Sequence, residues 1–64
     1  MRREEAIEVM SNVVLDMNRT LGEQQSIPQA QIDSTLAQMK PELDKVNAII
    51  FDALYDRGVI NLHG

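Results

Sequence analysis

Residues 47–57 read NAIIFDALYDR and form the most apolar segment of a 64-residue chain. Where this segment is buried decides the fold. It continues a seam made of Ile32, Leu36, Met39, Leu43, Val46, Ile50 and Leu54, with spacings of 4, 3, 4, 3, 4 and 4, which is the signature of an amphipathic helix. The reading places this second helix at 27–57. Ser26 and Gln29 have the spacing of a capping box, and Pro28 falls in the first turn, where a missing N–H is tolerated. Pro41 interrupts the run, yet the seam keeps its phase across it and no residues are spare for a reversal. A helix kinked near Pro41 is therefore expected over a clean break into three helices. Gly58 marks a Schellman stop that folds Val59 back on Leu54, and residues 58–64 form a tail in which Ile60 and Leu62 alternate with polar residues.

Upstream, Ile7, Met10, Val14, Met17 and Leu21 recur at spacings of 3, 4, 3 and 4, predicting a first helix over 3–21. Glu4, Glu5 and Glu8 lie at the end where the helix dipole favours carboxylates, and Gly22 reads as its left-handed stop. Leu15 falls among polar residues away from the seam. With a turn over 22–26, the expected fold is all-α: a helical hairpin with a long second helix. Residue 21 would then face residue 27, and Arg3 would lie beside Lys45, so roughly twelve residues, ~18 Å of helix, would overhang. An exposed segment that apolar calls for a cover. Three covers are open, a second copy, a fold-back at Pro41 aided by the tail, or a different protein; the second copy is the simplest, giving a homodimer of hairpins resembling a four-helix bundle. Val46, Ile49, Ile50, Leu54, Met10, Val14 and Met17 are the expected dimer interface. Phe51 and Tyr55, one turn apart on a flank of the seam, join Leu15, Ile60 and Leu62 as the expected surface for a target protein. The competing reading has Phe51 widening the core stripe and Tyr55 capping it with its hydroxyl outward.

Composition narrows the chemistry. Ten acidic against six basic residues give a net charge of −4, which disfavours nucleic acid; Arg2, Arg3 and Lys45 at one end are the only basic group a dimer would gather. No cysteine is present, so neither a disulfide nor a thiol nucleophile is available. The single His63 stands next to the last residue, where no scaffold holds it for acid–base work. Asp52 with Asp56, and Glu4 with Glu8, are four apart but lack the Glu-x-x-His companion that a carboxylate-bridged metal site in a bundle uses. No catalytic, metal or cofactor site is expected, and no signal peptide or membrane span; the cytoplasm is the expected setting. In size and hairpin plan, with heptad spacing as the one shared feature, the chain is similar to the repressor-of-primer type of RNA-binding dimer. That likeness implies the second functional reading, a small dimeric nucleic-acid-binding regulator, beside a third, a structural assembly component. The first reading is a non-enzymatic protein–protein interaction module, a small stoichiometric regulator acting as antiactivator, inhibitor or adaptor through apolar helical surface.

Overall fold

The computed structural model describes residues 2–61. The described chain is an antiparallel pair of helices, α1 over Arg3–Gln24 and α2 over Gln29–Asp56, with no strand. Helices of ordinary composition draw most of their stability from packing rather than propensity, so each is held chiefly by the side that the other covers. α2 runs unbroken through Pro41.

The turn differs from the sequence expectation, and everything downstream follows from that. Gly22 does not end α1. It is buried within the helix at the closest approach to α2, where an added Cβ would sit 3.1 Å from Ile32 Cδ1 and Cγ1. The left-handed residue is Ser26, at φ 61°. Its N–H donates to Glu23 O at 3.1 Å, and the Ile27 N–H donates to Gly22 O at 3.0 Å, the two bonds of a Schellman motif. Ser26 therefore closes α1 rather than capping α2, and its side chain makes no capping bond. α2 starts two residues later than expected, after Pro28, whose carbonyl accepts from Gln31 and Ile32 at 3.0 Å each. At the far end Gly58, at φ 75°, repeats the motif: its N–H donates to Tyr55 O and that of Val59 to Leu54 O, each at 3.0 Å.

Moving the turn resets the register. Arg3 pairs with Asp52 and Ser11 with Asp44, so facing residue numbers sum to 55 instead of the expected 48. Asp56, the last residue of α2, lies only four residues beyond Asp52, about 6 Å of helix. The twelve-residue overhang does not exist.

The covered line also differs from the heptad seam. Along α1 it passes through Ile7, Ser11, Leu15, Asn18 and Gly22, and along α2 through Ile32, Leu36, Lys40, Asp44, Asn47 and Phe51, each of them buried or half-buried. Spacings of four dominate this line, the ridge that packs when helices meet through their i±4 rows. Its apolar centre is small: Ile7, Ile32, Leu36 and Phe51. Ser11 and Asn47 complete it as buried polar residues that satisfy each other, and among the described residues no buried side-chain polar atom lacks a partner.

Candidate functional site: two unlike faces of one hairpin

In an antiparallel pair, side chains displaced in the same rotational sense from each helix's inward line lie on the same side of the hairpin. At 100° per residue, Met17 and Leu21 on α1 are displaced one way by roughly 100° on average, while Val13, at roughly 160°, stands on the outer side. Met39, Val46 and Ile50 on α2 are displaced the same way by roughly 80°. They form one face. Leu21 and Met39 meet at its turn end, where with Gly22, Ile27, Ile32 and Leu36 they line an open groove of about 190 Å³. Met17 is 67% exposed, Val13 53% and Val46 50%. Asp16 borders this apolar strip beside Met17 and Leu21 on α1, and on α2 Glu42 stands at its outer edge, its charge 3.6 Å from that of Lys45.

The opposite face is polar and internally paired. Lys40 Nζ donates to Asp44 and to Glu8, each at 2.9 Å. Asp44 also accepts from the Ser11 hydroxyl at 2.6 Å, and Ser11 accepts from Asn47 Nδ2 at 3.0 Å. One chain of bonds thus runs from the buried centre to the surface. The Ser11 hydroxyl, helped by Lys40, holds the Asp44 carboxyl below its ordinary range, and Asp44 followed by Glu8 raises the Lys40 ammonium above its own. At the open end Arg3 Nε and Nη2 donate to the two oxygens of Asp52, each at 2.9 Å. This fork lowers the Asp52 carboxyl and raises the Arg3 guanidinium through the shared hydrogen bond.

The residues expected to meet a target do not assemble into one surface. Phe51 is 1% exposed, the most buried large side chain of the hairpin; it widens the core, and its place on a partner surface is withdrawn. Leu15 is half-buried on the covered line rather than standing out among polar residues. Tyr55 is 49% exposed but sits near the open end, far along the hairpin from Leu15. Ile60 is half-buried, and Leu62 and His63 lie outside the described residues. Of the set expected between copies, Met17, Val46 and Ile50 belong to the apolar face, and Met10, Val14 and Leu54 are half-buried along the seam. Ile49, 70% exposed, is on the outer side of α2. Two of the three basic residues proposed for a polyanion are already engaged, Arg3 with Asp52 and Lys45 with Glu42.

Among the described residues no three His, Cys, Asp or Glu side chains stand close enough to hold a metal ion, and no helix is long and apolar enough to cross a membrane. No protein-family model, curated protein or solved structure matches the chain.

Proposed function

We propose that the chain is a non-enzymatic protein–protein interaction module, in the class of small stoichiometric regulators, and that its working surface is the apolar face of the hairpin. The observation that carries this reading is the mismatch between the two faces. One joins its helices through Lys40 with Glu8 and Arg3 with Asp52, while the other leaves Met17, Leu21, Val46 and Ile50 all 42% or more exposed. Scattered exposed hydrophobes are ordinary on a protein surface, whereas a band rimmed by polar residues is the usual mark of an interface. The expected bend at Pro41 fits the same reading. Pro41 lies exposed on the outer side of α2, where the missing N–H and the crowded Ala37 carbonyl curve the helix toward its covered side.

The test is a photoreactive residue placed at Val46, on the apolar face, or at Asn12, on the polar one, in the cells that make the chain. The module reading expects a discrete adduct from position 46 and none from position 12. Silence at position 46 would remove it, and the regulator role needs one adduct to be with a different protein.

A further inference from the structure

The apolar face is continuous over both helices and matches a definite kind of cover. We infer that the occupant of this face, when no target protein holds it, is a second copy of the chain, two hairpins closing into a four-helix bundle. This rests on reading the face as an interaction surface and goes further by naming what sits on it.

The first argument is directional. The heptad-spaced seams, Ile7 to Leu21 on α1 and Ile32 to Leu54 on α2, do not point at the partner helix within the hairpin. On average the α1 seam is turned from the covered line by roughly 80° and the α2 seam by roughly 60°, in the same sense, toward the apolar face. In a square array of four helices the common axis lies about 45° from the line joining two neighbours, so this is the direction in which a bundle needs its widest apolar stripe.

The second argument is periodicity. The hairpin's own contact uses side chains four apart, as Ile7, Ser11 and Leu15 do, whereas the outward seam keeps the 3.5-residue repeat suited to bundle packing at shallow angles. The two rows share Ile7, Ile32 and Leu36, and the rest of the heptad row leaves Met17, Leu21, Val46 and Ile50 exposed.

The third argument is size. The hairpin is 42 Å long and 19 Å wide, so one face projects about 800 Å², the area each partner contributes to a standard stable interface. A second hairpin presents the same apolar strip with its charges at the rim, and a twofold axis in the plane of the face makes the contact self-complementary.

The experiment is molar mass by light scattering on a sizing column, from about 10 µM to 1 mM, with helicity followed by circular dichroism. The chain is 7.2 kDa, and the inference expects a species of about 14 kDa. Val46→Glu should convert it to a helical species near 7 kDa, and Asn12→Glu on the polar face should leave it at 14 kDa. If Val46→Glu loses its helices, the milder Val46→Ser carries the test, with the dimer dissociation constant expected to rise at least tenfold. A helical 7 kDa species at every concentration would overturn the second copy yet leave the interaction reading standing wherever position 46 crosslinks to another protein. A dimer that ignores both Val46 substitutions would overturn the inference and the choice of face together.

Discussion

The two faces of the hairpin are built from the same two helices by opposite rules. On the polar face every bond between helices is specific: Arg3 to Asp52, Lys40 to Glu8, and Ser11 to Asp44. On the apolar face no side chain has a named partner, and only the spacing is regular. The difference teaches that register is set on one side of the hairpin: directional bonds fix which residue faces which, and the apolar band takes no part in it.

The sharpest way to break this contrast is to ask whether the fold depends on the covered line or on the exposed face. Phe51→Ala should cost about 3–5 kcal/mol, enough to unfold a hairpin with so small a core, read as loss of helicity on mild heating. Met17→Ala, at a concentration where the chain is monomeric, should change stability by no more than about 0.5 kcal/mol. Comparable losses would show that the exposed face is part of the fold itself. Next in size is Asn47→Ala, which takes away the donor to Ser11 and leaves a gap in the centre. It should cost about 1–3 kcal/mol in urea unfolding, and a neutral result would deny the polar centre any role in stability.

Acid should act on the polar face alone. Asp44 and Asp52 are both held below their ordinary 3.8, so each contributes stability that is present above that value and lost as pH falls through the lowered folded one. The raised Lys40 acts at the other extreme, its contribution present below 10.5 and lost as pH climbs through its folded value. A melting temperature that drops below pH 4 in the parent, but less so in an Asp44→Asn variant, would confirm the assignment. An equal drop would place the acid sensitivity elsewhere. The smallest effect belongs to the exposed Arg3–Asp52 fork. Asp52→Asn should lower the melting temperature slightly in dilute buffer and not at all in 1 M salt, where charges at the surface are screened within about 3 Å.

The helical hairpin was legible because the 3.6-residue period is strong in both halves, and Gly58 was legible because glycine after a helix has one common use. The turn was not. Gly22 looked like the stop, yet close packing against Ile32 keeps it inside α1, while a serine takes the left-handed position that usually attracts glycine or asparagine. A shift of two or three residues at the turn displaces every facing pair by seven, and that displacement created the apparent overhang. The covered line was hidden for a related reason. A search for apolar residues at heptad spacing passes over Ser11, Asn18, Gly22 and Asn47, so the seam it finds shares Ile7, Ile32 and Leu36 with the contact and turns away from it elsewhere. Met17, Val46 and Ile50, on the outward part of that seam, are exposed in the hairpin. Phe51 was misplaced because its distance from the seam is what centres it on the true contact.

Ser26 has one more consequence. For any residue other than glycine the left-handed conformation is unfavourable by roughly 1–2 kcal/mol, and at Ser26 that strain is held in place by two backbone bonds and the packing of Ile27. The same residues, relaxed into ordinary helical angles with Pro28 replaced, would fuse α1 and α2 into a single rod spanning residues 3–56, about 80 Å long at 1.5 Å per residue. Chain reversal in this protein is thus a local choice made at one peptide. Ser26→Gly should deepen it, and Ser26→Ala combined with Pro28→Ala should tilt it toward extended molecules that exchange helices with their neighbours, a change in maximum dimension that small-angle scattering reads directly.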